Sequence, residues 1–314
     1  MADGSGTVSV DLRAAASDRL RDRRARGYVL ADEDWLLATF LDGLAARGET
    51  RITVAAALAF ATERAGATAG WQARKLRAVR GLAAHVHALD PAAAELIPAG
   101  LIASKTPRRI PYLYSQEQIV ALMDAARALS PEMLGASIRT LIGLLAATGM
   151  RSGEAAALDV SDLDVDRHLL RVSGKNRRLR ELPLHPTTIA ALLDYLQLRA
   201  KLAPPTGPLL IGAKGGRLNL TSARAAFRAL ANDCRLPVPP GCRAPRLHDA
   251  RHSFAVNTLI DAHRDGVDVD ARIATLANYL GHVNPTHTYW YLTASPQLMQ
   301  TVRERMTAWQ EAVQ

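Results

Sequence analysis

Stretch after stretch of this chain repeats apolar residues at three- and four-residue spacing, then stops at a glycine or a proline. That rhythm is the period of an amphipathic helix with its usual terminators. Four such stretches lie between about residues 11 and 98: DLRAAASDRLRDRRARG, ADEDWLLATFLDGLAARG, TVAAALAFATERAG and WQARKLRAVRGLAAHVHALDP. Brief turns between them predict a small helical bundle. Apolar residues make up 48% of the chain and aromatics only 5%, so the core must be built from Ala, Leu, Val and Ile. Ala, Leu and Arg lead the helix-propensity ranking, which agrees with the periodicity.

Further on, SQEQIVALMDAARAL begins with a Ser followed by acidic and amide residues, a helix start. MLGASIRTLIGLLAATGM reads as a buried helix. The rhythm breaks once, at HLLRVSGKNRRLRELPLH, where two short apolar runs flank SGKNRR and predict a β-hairpin. Helices resume at PTTIAALLDYLQLRAKL, TSARAAFRALANDC, LHDARHSFAVNTLIDAHRDG and DARIATLANYLG. The expected fold class is mainly α with a small β-sheet or hairpin. A length of 314 residues suits about two domains. Residues 99–113, AGLIASKTPRRIPYL, carry two prolines and the cations Lys105, Arg108 and Arg109, and read as an interdomain segment. The expected division is a helical domain over 1–104, a basic linker over 105–113 and a second domain over 114–314.

Lys plus Arg number 39 against 30 Asp plus Glu, a formal charge of +9 and a pI near 10.0. Such a surplus attracts nucleic acid or an acidic membrane surface; the plainer alternative is that it aids solubility. Cys234 and Cys242 show no metal-type spacing, which argues for a reducing compartment. MADGSGTVSVDLR has no apolar run of the secretory kind, and LIGLLAATGM is too short to span a bilayer. The expectation is a cytoplasmic protein without membrane partners. No HExxH, CxxC, GxxxxGK[ST] or GxGxxG pattern occurs, so neither a metal nor a nucleotide cofactor is expected.

The chemistry-bearing residues fall in five places. Arg74, Lys75, Arg77 and Arg80 lie on the fourth helical stretch. They form either a solvated face or a phosphate-gripping one. In TGMRSGEAAAL, Arg151 pairs with Glu154 as a structural salt bridge or faces a phosphate. Lys175, at the hairpin tip, is either solvated or a proton donor, while Arg177, Arg178 and Arg180 are expected to add phosphate contacts. In LHDARHSFAVNTL, His248 and Arg251 share a helix face near its N-terminus, where an anion is favoured; His252 reads as packing. Finally, GHVNPTHTYWYLT holds two tyrosines and two histidines.

Together ATGMRSGEAAAL, GKNRRLRELPL, HDARHSFA and LGHVNPTHTYWYL, in that order, resemble the tyrosine recombinase, or phage integrase, family. The likeness is strong over the C-terminal part and loose over the helical N-terminal part. It departs at Ala250, where many relatives carry a larger apolar residue, and in the hairpin, which lacks a second glycine. The resemblance implies a SAM-like core-binding bundle followed by a tyrosine-recombinase catalytic domain. It implies a catalytic set of Arg151, Lys175, His248, Arg251, His282 and a tyrosine. The family nucleophile lies nine residues after the LGH histidine, which selects Tyr291 over Tyr289. The implied reaction is metal- and ATP-independent DNA strand transfer through a 3′-phosphotyrosyl intermediate. Implied partners are double-stranded DNA at a specific site and further copies of the chain, as a tetramer on two sites. The HTYWYL ending leans towards integrases of mobile elements. The amphipathic PQLMQTVRERMTAWQEAVQ tail is expected to dock on a neighbouring protomer. A type IB topoisomerase, a non-catalytic DNA-binding relative and a metal-dependent nuclease are the competing readings.

Overall fold

A computed structural model of the chain describes residues 10–281 except 29, 31, 104–109 and 175–177. It divides into two compact units, Met1–Arg108 and Arg109–Gln314. The first contains α1 (Leu12–Ala25), α2 (Glu33–Ala46), α3 (Val54–Thr62) and α4 (Ala69–Leu89), the four helices expected from periodicity. Asp11, Thr53 and Thr68 each accept a backbone N–H from the first turn that follows, fixing the starts of α1, α3 and α4. Leu36, Leu37, Phe40 and Leu44 of α2 pack against Val79, Leu82 and Val86 of α4 in a closed core. Phe40 meets Phe60 of α3 at 5.3 Å between ring centroids.

The second unit is built on α6 (Glu132–Thr148), whose Ile138, Leu141, Ile142 and Leu145 are almost wholly buried. α5 (Gln116–Ala125), α8 (Pro186–Arg199), α9 (Leu220–Asp233) and α10 (Asp249–Arg264) pack around it. The short α7 (Ser152–Ala157) follows α6 directly, and α11 (Val269–Leu280) packs on α10. Ser115 and Gln118 form the capping box expected at the start of α5. The expected hairpin is β2 (Leu169–Ser173) with β3 (Leu179–Pro183). It is extended by β1 (Leu163–Asp164), which the periodicity did not signal, into a three-stranded antiparallel sheet of order β1-β2-β3. Val172 pairs with Arg180 in the register, and Leu170, Val172 and Leu182 are buried.

Of the expected linker, residues 105–109 lie outside the described residues. Ile110 bridges Cys242, and Tyr112 is buried beside Tyr114 in the second unit's core. The segment 110–113 is therefore part of that unit and not a free connector, because its aromatic ring is worth more buried than exposed.

Candidate active site

α6 stops at Gly149, whose φ of 61° is a left-handed conformation that suits glycine. A Cβ there would lie 2.4 Å from the Phe254 ring, so the site also needs the missing side chain. The turn delivers Arg151 as the residue before α7. Glu154, one turn on, reaches back to the Arg151 backbone N–H at 2.9 Å and to Arg151 Nη1 at 2.8 Å. Both alternatives for Arg151 are thus compatible: it pairs with Glu154, yet its side chain keeps 36% exposure.

Arg251, on the first turn of α10, is 2% exposed. Its Nη1 donates to Gly149 O at 2.9 Å and its Nη2 to Leu280 O at 2.7 Å. Arg151 Nη2 donates to Gly281 O at 3.4 Å. Two arginines distant in sequence are therefore gathered at the last carbonyls of α11, where the helix dipole is negative and favours cations. His248 precedes α10 and is exposed at the surface of the cleft. Desolvation by the surrounding protein pushes its pKa below the usual histidine value; Arg251, Arg246 and Arg151 push the same way, and Asp249 opposes them. A neutral imidazole beside two guanidinium groups can accept a proton. His252 meets the His248 ring edge-on at 5.0 Å.

The expected role of Arg180 is corrected. It does not face outward for phosphate: its side chain is 14% exposed, and it binds Glu154 through Nη2 at 2.7 Å and Nη1 at 3.2 Å. Strand alternation puts it on the face of buried Leu182, a signal present in the sequence. Burial alone would raise the Glu154 pKa, but bonds from Arg180 and Arg151 outweigh it and hold the carboxyl below its ordinary value. Arg178 is exposed. Lys175, Arg177, His282 and Tyr291 lie outside the described residues, as do Lys105, Arg108 and Arg109.

On α4, Arg74 and Arg77 are exposed and Arg80 is half-buried. Lys75 is not on that face. It is 3% exposed, with Nζ 2.5 Å from Glu63 and 3.9 Å from the Phe60 ring centroid. The helix turn that presents Arg74 outward carries Lys75 into the core, where a carboxylate and an aromatic face compensate its charge.

A cleft of about 440 Å³ beside His248 is lined by Ser152, Arg224, Arg228 and Arg246. Arg224 and Arg228 were not singled out in the sequence, although their four-residue spacing on one helix was the available sign. Arg246 is held by Asp249 at 2.7 Å. Among the described residues no group of three or more His, Cys, Asp or Glu is placed to hold a metal ion.

Residues 113–297 match the model of the phage integrase family. The integrase/recombinase y4rB of Sinorhizobium fredii is 35% identical over 303 residues, 94% of this chain and 96% of that protein. Tyrosine recombinase XerC of Pseudomonas aeruginosa is 30% identical over 235 residues, 74% of this chain and 71% of that one. In fold, the chain is similar to the Tn1549 transposon integrase in complex with transposon right end DNA, with a TM-score of 0.61 at 15% identity over 94% of this chain and 98% of that one. The family match over more than half the chain, and the relatives that span most of it, place this chain in the phage integrase family, as a tyrosine recombinase that cleaves and rejoins DNA strands.

Proposed function

We propose that the protein is a site-specific recombinase of a mobile element, acting on double-stranded DNA in the cytoplasm. The observation that carries this reading is the meeting of Arg151 and Arg251 at the last turn of α11, beside a His248 kept towards its neutral form. In this reading the Tyr291 phenolic oxygen attacks a scissile phosphorus and the bond to the 5′ oxygen breaks. The product is a 3′-phosphotyrosyl ester and a free 5′-hydroxyl. A phenol with an ordinary pKa near 10 needs help to lose its proton, and His248 receives it. Lys175 returns a proton to the leaving oxygen. Arg151, Arg251 and His282 stabilise the charge on the pentavalent phosphoryl group. The ester retains the bond energy for rejoining, so the reaction balances without ATP or metal.

Residues 1–104 serve as the core-binding domain, with Arg74, Arg77 and Arg80 on phosphates. Lys105, Arg108, Arg109, Arg177 and Arg178 add backbone contacts, and Arg224 and Arg228 extend them beside the active site. Resemblance to the family supports four protomers on two sites, with the C-terminal segment docked on a neighbour. The name of the Tn1549 transposon integrase supports a mobile element as host. Among the described residues no helix is long and apolar enough to cross a membrane.

The test is to trap the covalent adduct on nicked duplexes made from the source DNA, isolate the denaturant-resistant complex and sequence the attached strand. Wild type gives an adduct at one sequence and Tyr291→Phe gives none. An adduct retained by Tyr291→Phe moves the nucleophile to Tyr289, and cleavage abolished by chelator supports a metal-dependent nuclease.

A further inference from the structure

Arg180 has every side-chain nitrogen engaged. Its Nε donates to Tyr279 O at 3.1 Å, and its two terminal nitrogens grip Glu154. Together with Arg251 on Leu280 O and Arg151 on Gly281 O, this gives three consecutive carbonyls at the end of α11 a guanidinium each. The three arginines come from β3, α10 and the start of α7.

Glu154 is shared equally. Oε1 accepts from Arg151 Nη1 and Arg180 Nη1; Oε2 accepts from the Arg151 backbone N–H and Arg180 Nη2. A carboxylate has about four acceptor sites, and all are used, so the two arginines are tied to each other through Glu154.

The guanidinium also sits between two glycines. A Cβ on Gly174 would lie 3.2 Å from Arg180 Nη1, and one on Gly281 would lie 3.3 Å from the same atom. Gly281 is left-handed, at φ 67°. A Cβ at either position would press on Arg180 by a few tenths of an ångström, and at Gly281 the left-handed backbone favours glycine as well. Those glycines immediately precede Lys175 and His282 in the sequence.

We propose that Arg180 is a positioning residue for strand cleavage, locking in one register the backbone before Lys175, the backbone before His282 and, through Glu154, the guanidinium of Arg151. This rests on the recombinase reading above, in which those three residues act on the phosphate. Arg180 itself touches no reacting atom. Its removal leaves the DNA-contacting surface intact and loosens three groups at once.

The experiment uses the full chain and a nicked duplex carrying the sequence recovered by adduct trapping. Single-turnover adduct formation, DNA affinity and thermal midpoint are measured for wild type, Arg180→Ala, Arg180→Lys and the Glu154→Gln/Arg180→Ala pair. Misplacement of catalytic groups by about 1 Å is worth on the order of 10²-fold in rate, and Arg180→Ala is expected to slow adduct formation by that much with unchanged DNA affinity. Millimolar methylguanidinium should restore part of the rate, which a general loss of stability would not allow. The effects of Glu154→Gln and Arg180→Ala should be strongly non-additive, because both act through one shared carboxylate. Should Arg180→Ala not fold, Arg180→Lys carries the test: it keeps the charge but cannot grip Glu154 with a fork, and roughly tenfold slower cleavage is expected. Wild-type cleavage rates in the Arg180 variants, or a fall in rate that only tracks lost folding or lost DNA affinity, would overturn the inference. If wild type traps no adduct on any duplex, the recombinase reading fails, and this inference with it.

Discussion

The two units differ in where their buried cations find partners. In the first, charge is met by charge: Arg74 pairs with Asp32, Arg24 with Asp34, and buried Lys75 with Glu63. In the second, carboxylates hold Arg151, Arg180 and Arg246, but two fully buried arginines spend their donors on backbone carbonyls. Arg199, 1% exposed, binds the carbonyls of Pro204, Thr206 and Pro208. Arg251 binds Gly149 and Leu280. An exposed ion pair adds little to stability and yields readily to a phosphate. A buried arginine whose donors are spent on backbone carbonyls is held rigidly and remains a cation. On the function proposed above, the exposed pairs of the first unit are suited to exchange with phosphates and the buried arginines of the second to fixed positions.

The sharpest way to break this contrast is Arg251→Ala. It removes fixed charge and orphans two buried carbonyls, so strand cleavage should fall by about 10²–10³-fold while DNA binding largely persists. A variant that cleaves like wild type in the adduct assay would show that the buried arginine is only structural. Next is Glu154→Ala. Removing one partner of a buried ion cluster typically costs about 3–5 kcal/mol, measurable by urea unfolding at neutral pH. Because the Glu154 pKa is held below its ordinary value, its stabilisation is complete above that ordinary value and is lost as pH falls through the lower native one. Glu154→Gln should flatten that acid limb of the stability curve.

On the first unit, Lys75→Ala should lower stability and leave the salt dependence of DNA affinity unchanged. Arg77→Ala should do the reverse, reducing the salt slope by about 1 with the unfolding midpoint unmoved. Equal slopes for the two variants would erase the distinction between a buried and an exposed cation on α4. The smallest effect belongs to His248. Its pKa is lowered in the fold, so between that value and the ordinary one the unfolded chain binds the extra proton and stability rises with pH. His248→Gln should remove that slope, and if His248 is the proposed base, wild-type cleavage should persist below pH 6.5, the ordinary histidine value.

Much of this was readable from residue order. Period 3.6 marked all four helices of the first unit, and SGKNRR marked the hairpin. Arg151, His248 and Arg251 stand out in the sequence, although the carbonyl partners of the two arginines do not. The misjudged residues, Lys75 and Arg180, are long cations at positions whose neighbours in the period are buried. Charge argued for solvent, but the face of the element prevailed because a compensating carboxylate was waiting inside: Glu63 for Lys75 and Glu154 for Arg180. β1 went unseen because two residues are too few to show alternation.

What the chain determined by itself was local: where helices start and stop, which strand faces turn in, and which polar types stand near one another in order. Those follow from steric preferences and periods that act over a few residues. Only the tertiary structure decided that three arginines from separate elements would share the end of α11 and that one carboxylate would bind two of them. Such partnerships depend on distances between segments up to about 130 positions apart, as between Arg151 and Gly281, which are settled when the core packs.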